Sequence, residues 1–139
     1  MDDGVAFFLA PLISEYLEDR GHRVNLSLEH QLLPEAAAEL EDADFAIFVD
    51  ASMENTPEGF QVRSVEAREI LEGLNLHTVG PDWILAMGQR IHGRAPEAWL
   101  VTVEGEQFDF GDQLTPVCSD RADRALHAFR ALWEQRFYA

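Results

Sequence analysis

The 139-residue chain has 26 acidic and 10 basic residues, a formal net charge of −16. This charge argues against nucleic acids and anionic membranes as main partners, because both bind clustered cations. All ten cations are arginines, which excludes a lysine nucleophile or a phosphate-binding lysine. The single cysteine excludes an internal disulfide and favours a cytoplasmic location. No apolar stretch approaches the ~20 residues that span a bilayer, and the length predicts one domain over 1–139.

The first third of the chain predicts two helices and one strand. Apolar residues at helical spacing predict a helix over 5–17. We expect its regular part to start near Phe8, which keeps Pro11 in the first turn. Alternation predicts a strand over 23–28, and a short helix over 34–41 begins with a proline.

Next comes the most apolar strand candidate, residues 45–50, which ends on Asp50. A near-continuous apolar run is typical of a strand buried on both faces of a parallel sheet. The remaining predicted elements are a strand over 59–65, a helix opened by Gly80-Pro81, strands over 99–104 and 107–110, and a last helix opened by Thr115-Pro116. The alternation of strands and helices predicts an α/β fold. We expect a three-layer sandwich of the phosphorylase/hydrolase-like type, with a mostly parallel twisted sheet flanked by helices.

The candidate site follows from this topology. In α/β sheets, ligands bind outside the carboxyl ends of the strands, at the topological switch point. Asp50 follows its strand, His77 lies in the loop before the Gly80-Pro81 helix, and Asp2 and Asp3 open the chain. We interpret the acid pair as the end of a loop after a first strand that the sequence lacks. Two carboxylates and an imidazole suit a borderline divalent metal ion.

Each residue also has a simpler interpretation. Acids near a helix N-terminus are stabilised by the helix dipole, Asp50 could cap a turn, and a single histidine such as His77 is more often partly buried without a chemical role. An acid pair followed by a later aspartate also resembles the receiver domain of response regulators. That fold needs a lysine, and the chain has none.

Short motifs along nearly the whole chain resemble the nickel-iron hydrogenase maturation endopeptidases. They are Asp2-Asp3-Gly4-Val5, His30-Gln31-Leu32-Leu33-Pro34-Glu35, Phe48-Val49-Asp50-Ala51-Ser52, His77 before a proline-opened helix, Val103-Glu104-Gly105-Glu106-Gln107-Phe108 and Leu114-Thr115-Pro116-Val117. Members of the family have an apolar first strand before the acid pair, where this chain has only Met1. We therefore expect the chain to be N-terminally incomplete.

The resemblance implies a function. The family removes a C-terminal extension from the hydrogenase large subunit after nickel insertion. The resemblance implies that Asp3, Asp50 and His77 contact the nickel carried by the substrate, and that they are the catalytic and metal-binding residues. Asp2 then shapes the loop, and His30 is a weaker candidate for reaching the substrate.

The same resemblance implies the large-subunit precursor as partner and no tightly bound organic cofactor. We also expect a monomeric chain, although no sequence motif indicates the oligomeric state. We expect neither nucleic acid binding nor membrane insertion. The alternative is a non-catalytic metal-binding or protein-interaction module of the same α/β fold.

Overall fold

The computed structural model describes residues 4–29, 31–52, 56–68, 79–105 and 114–138. These ranges hold three α-helices, one 3₁₀ helix and three strands. The helices are α1 (Val5–Asp19), the 3₁₀ helix (Pro34–Leu40), α2 (Pro81–His92) and α3 (Pro116–Phe137), and the strands are β1 (Phe45–Ser52), β2 (Phe60–Val65) and β3 (Glu97–Glu104). Among the described helices, none has the length and apolar character needed to cross a membrane.

The three strands form one sheet in the order β1-β3-β2. The end of β3 meets the end of β1, since the Gly105 N–H donates to the Ser52 carbonyl at 3.0 Å; these two strands are therefore parallel. The end of β3 also meets the start of β2, because the Glu104 N–H donates to the Gly59 carbonyl at 2.8 Å; this pair is antiparallel. The predicted α/β class is confirmed, but the sheet of described strands is mixed rather than mostly parallel.

Of the described strands, β3 is the most deeply buried, and the prediction that β1 is buried on both faces was wrong. In β1 only Ala46 is buried, whereas Ala98, Leu100, Val101 and Val103 of β3 are all buried. The sheet order explains this difference, because β3 lies between the other two described strands. A strand with neighbours on both sides keeps less of its surface in contact with water than one paired on a single side.

Two further predictions about local structure need correction. Residues 23–28 form no strand; Leu26 and Leu28 are 43% and 45% exposed, and none of the described strands pairs with this segment. Alternation alone cannot form a strand without a partner for its backbone groups. Helix α1 begins at Val5, so Pro11 lies inside it rather than in its first turn. The complete burial of Val5 and Leu9 stabilises the turns that precede the proline.

The chain divides into two compact units, and the first comprises the described parts of 1–28, 49–62 and 101–139. Its core forms where α1 packs on α3. The fully buried Phe129 meets the Tyr16 ring edge to face and stacks on Trp133, with centroids 6.2 and 5.7 Å away. The Thr115 hydroxyl accepts from the Cys118 N–H at 3.2 Å, which confirms the predicted cap of the last helix.

The second unit comprises the described parts of 29–48 and 63–100. Its core joins the 3₁₀ helix, α2 and the adjoining strand residues: Ala37, Leu40, Ala46, Val65, Trp83, Ile84, Leu85, Ala98 and Leu100. At Gly88 a Cβ atom would lie 2.9 Å from Leu40 Cδ1, so the glycine allows α2 to approach the 3₁₀ helix closely. The His92 imidazole Nε2 lies 3.0 Å from the Ala37 carbonyl, and thus links the end of α2 to the same helix.

Candidate active site

Asp50 is the predicted site residue that the structure describes. It lies two residues before the C-terminal end of β1, and its side chain is exposed. The prediction that it ends the strand was wrong by two residues, because the Ser52 carbonyl still accepts a hydrogen bond from Gly105. β1 thus holds Asp50 on regular strand backbone rather than on a loop, close to the end of the strand.

The surroundings of Asp50 disfavour its charge. Although the side chain is exposed, nearby protein removes part of its hydration and raises the pKa of the carboxyl above its ordinary value of 3.8. A hydrogen bond from the Ala51 backbone N–H acts in the opposite direction and is the weaker influence on this pKa. A carboxylate with incomplete hydration is a suitable ligand for a cation.

Beside Asp50, the end of β3 connects the ends of two neighbouring strands. Gly105 N–H donates to Ser52, and Glu104 N–H donates to Gly59. The Glu104 carboxylate accepts from the Thr56 N–H at 3.3 Å. We call this set of Ser52, Thr56, Gly59, Glu104 and Gly105 the Glu104 junction. These bonds hold the backbone at Ser52, before the segment that follows β1, and at Thr56, after it.

Helix α3 contributes one side chain to the Glu104 junction. The Arg121 guanidinium Nη1 donates to the Glu104 carbonyl at 3.1 Å. Its stem lies over Gly59, where a Cβ atom would be 2.4 Å from Arg121 Nε and 2.7 Å from Cδ. Gly59 is buried and has φ +78°, so both its backbone conformation and the arginine favour glycine here.

The other predicted ligands, Asp3 and His77, lie outside the described residues, as do Asp2 and His30. Among the residues that the structure describes, no group of three or more His, Cys, Asp or Glu side chains is placed to hold a metal ion. The predicted metal set Asp3, Asp50 and His77 therefore stays a prediction.

Sequence reasoning included Glu104 in the motif 103–108 that resembles the family but did not single it out as a site residue, and it missed Arg121. Glu104 had a usable signal, since it is an acid directly after the apolar run of β3, as Asp50 is after the apolar run of β1. Arg121 had none, because its partner Glu104 is 17 residues away and an arginine on a helix is ordinarily solvated.

An open cleft lies next to the Glu104 junction. It has a volume of ≈ 300 Å³ and is lined by Thr56, Pro57, Glu58, Phe60 and Gln61. The cleft borders the start of β2 and is partly apolar through Phe60.

No protein-family model matches the chain, and no curated protein matches it by sequence. Solved structures do match. The hydrogenase maturating endopeptidase HybD from E. coli has a TM-score of 0.60 and 22% identity, over 99% of this chain and 86% of that one. The [NiFe] hydrogenase maturation protease HycI from Thermococcus kodakarensis KOD1 has a TM-score of 0.60 and 16% identity, over 94% and 83%. The hydrogenase 2 maturation peptidase from Thaumarchaeota archaeon SCGC_AB-539-E09 has a TM-score of 0.51 and 18% identity, over 94% and 89%.

These likenesses cover nearly the whole chain, but their sequence identities are low. They establish that the chain has the fold of the hydrogenase maturation proteases, as the resemblance of its motifs implied. They carry no information about individual site residues.

Proposed function

We propose that this protein is an endopeptidase that removes the C-terminal extension of the nickel-iron hydrogenase large subunit after nickel insertion. The observation that carries the proposal is the match of fold to HybD over 99% of the chain. Asp50 adds to it, because the motif that resembles the family places an exposed aspartate near the end of a strand. In this fold class, ligands bind at the carboxyl ends of strands.

In this proposal Asp3, Asp50 and His77 recognise the nickel that the substrate carries. Carboxylate oxygen and imidazole nitrogen are ligands that suit a borderline divalent ion with open coordination positions. Asp50 contributes a carboxylate whose hydration is already incomplete, so binding a cation there removes less water than at a fully hydrated acid. The requirement for nickel then restricts peptide hydrolysis to the loaded precursor.

The proposal extends to partner, location and assembly. The partner is the large-subunit precursor, the location is the cytoplasm, and the protein acts as a single-domain monomer without an organic cofactor. The net charge of −16 favours docking to a basic surface of the precursor. A three-layer arrangement, in which helices cover both faces of the sheet, is part of the same proposal.

The test is a processing assay. The purified chain is incubated with nickel-loaded and nickel-free large-subunit precursor, and the product is weighed by mass spectrometry. We expect the C-terminal extension to be lost only from the loaded precursor. The control is the same precursor without the chain, which reports any spontaneous cleavage.

If a folded chain cleaves neither precursor, the proposed function is wrong. Calorimetric binding of Ni²⁺ by that inactive chain would then favour the alternative, a non-catalytic metal-binding module. Cleavage of both precursors would keep the protease activity and contradict recognition through nickel.

A further inference from the structure

The backbone that carries Asp50 is joined to β3 at its C-terminal end. Ser52 is the last residue of β1, and its carbonyl accepts the N–H of Gly105. Asp50 and Ser52 are two residues apart, so their side chains lie on the same face of the strand, about 7 Å from each other along it. A displacement of Ser52 therefore moves the Asp50 carboxylate as well.

The position of Gly105 depends in turn on its neighbour Glu104. Glu104 makes three hydrogen bonds. Its N–H donates to the Gly59 carbonyl, its carboxylate accepts from the Thr56 N–H, and its carbonyl accepts from the Arg121 guanidinium. The first two join Glu104 to the segment after β1 and to the start of β2. The third comes from α3, the helix whose Phe129 and Trp133 form part of the core of this unit.

We infer that Arg121 is a positioning residue for Asp50, acting through the Glu104 junction. This inference rests on the proposed function. Arg121 does not touch the substrate; it connects the well-packed α3 to the Glu104 carbonyl and to Gly59, and so fixes the strand end that carries the carboxylate.

The chemistry of arginine fits this role better than that of lysine. A guanidinium is planar, has several donors and is more weakly hydrated than an ammonium, so it can stay half-buried while it donates to a carbonyl. The side chain of Arg121 is half-buried, and its Nε, Cδ and Cγ atoms all contact the position where Gly59 lacks a Cβ atom. A lysine can still donate to the Glu104 carbonyl, but it cannot reproduce the flat contact with Gly59.

The test compares three arginine variants in the processing assay with nickel-loaded precursor. We expect Arg121→Gln to lower kcat by about 10- to 100-fold, the loss that a displacement of about 1 Å causes at a reacting centre. KM should change less than about threefold, because precursor docking does not use Arg121. Arg121→Lys should recover part of kcat. Arg130→Gln, a control on an exposed face of the same helix, should leave kcat and KM unchanged.

Gly59→Ala tests the same contact from the other side. An alanine there must adopt φ near +78° and displace Arg121, so we expect the same selective fall in kcat. In an Arg121→Ala background the additional loss from Gly59→Ala should be smaller, because alanine lacks the Cγ, Cδ and Nε atoms that crowd the Cβ position of Gly59. If Arg121→Gln fails to give a cooperative unfolding transition, Gly59→Ala alone tests the contact between Arg121 and Gly59.

The outcomes separate this inference from the proposed function. Absence of processing by the unaltered chain would refute the function and the inference together. Processing by the unaltered chain with normal kcat in folded Arg121→Gln would refute the inference alone. Equal losses in Arg121→Gln and Arg130→Gln would also contradict it, because they would indicate a general effect of removing positive charge.

Discussion

Replacing Asp50 by asparagine separates the chemistry of this residue from its role in the fold. The asparagine side chain has nearly the same shape, and its amide oxygen can still accept the hydrogen bond of the Ala51 N–H. The negative charge is lost, and with it most of the affinity for a cation. We expect processing of the nickel-loaded precursor to fall by at least about 100-fold, since even groups in the outer shell of a metal site can cost that much when they are removed.

At neutral pH, Asp50→Asn should change the free energy of unfolding only slightly. Any change should be an increase, whereas most mutations lower it. The folded state raises the pKa of the Asp50 carboxyl by desolvation, so the folded chain binds a proton more tightly than the unfolded chain does. The contribution of Asp50 to stability is therefore greatest below pH 3.8 and is lost as the pH rises through the raised pKa. Asparagine does not titrate. At neutral pH the variant should match the parent or exceed it by less than about 0.5 kcal/mol, because water screens this exposed side chain.

The assay pairs processing kinetics with urea unfolding of parent and variant at neutral pH and near pH 3.5. The difference in the free energy of unfolding should shrink at the lower pH, where the parent carboxyl is largely neutral. Asp123→Asn on the exposed face of α3 is the matched control and should leave processing unchanged. Normal processing by Asp50→Asn would refute its assignment to the site. A loss of more than about 2 kcal/mol at neutral pH would instead show that the charge stabilises the fold.

Three further changes test the packing that supports the site. Phe129→Ala should lower the free energy of unfolding by about 3–5 kcal/mol, because its ring is fully buried. Leu132→Ala on the same helix should change it by no more than about 0.5 kcal/mol, because Leu132 is exposed. Urea denaturation measures both changes. Tyr16→Phe removes the hydroxyl that donates to the Glu134 carboxylate and should cost about 1 kcal/mol at neutral pH. The fold raises the pKa of Tyr16 to about 12. The parent should therefore lose this stability as the pH rises from about 10 to about 12, whereas the variant should not. Unfolding measured across that pH interval tests the difference. Arg94→Ala removes donors to two backbone carbonyls just after the 3₁₀ helix and should cost about 1 kcal/mol, with faster amide exchange in that helix.

The sequence predicted those elements whose signals are local. Thr115 and Pro116 mark the start of α3, and the structure shows both the hydroxyl cap and the proline in the first turn. Gly80-Pro81 marks the start of α2 in the same way, and Gly93 ends it in a left-handed conformation. These signals depend on bonds between residues within one turn of each other, so they can be read without knowledge of the fold.

Features that depend on distant partners could not be predicted in this way. Residues 23–28 alternate like a strand, yet strand formation depends on a partner that the alternation does not specify. The deep burial of β3 follows from its place between β1 and β2. A single apolar run in the sequence does not determine the order of strands in the sheet. The site divides in the same manner. The motif around Asp50 marked the residue as a candidate, which stays a prediction, whereas its raised pKa and the contact of Arg121 with Glu104 arise only from packing.

The placement of Asp50 argues for a chemical role more strongly than its identity alone does. A carboxylate whose pKa the fold raises works against stability at neutral pH, and a polar uncharged residue could make the same bond to Ala51 without that cost. The core of this unit, built around Phe129, depends on α1 and α3 and does not need the charge. The raised pKa is consistent with the role proposed for Asp50, in which a nickel ion presented by the substrate would offset the lost hydration at the moment of recognition.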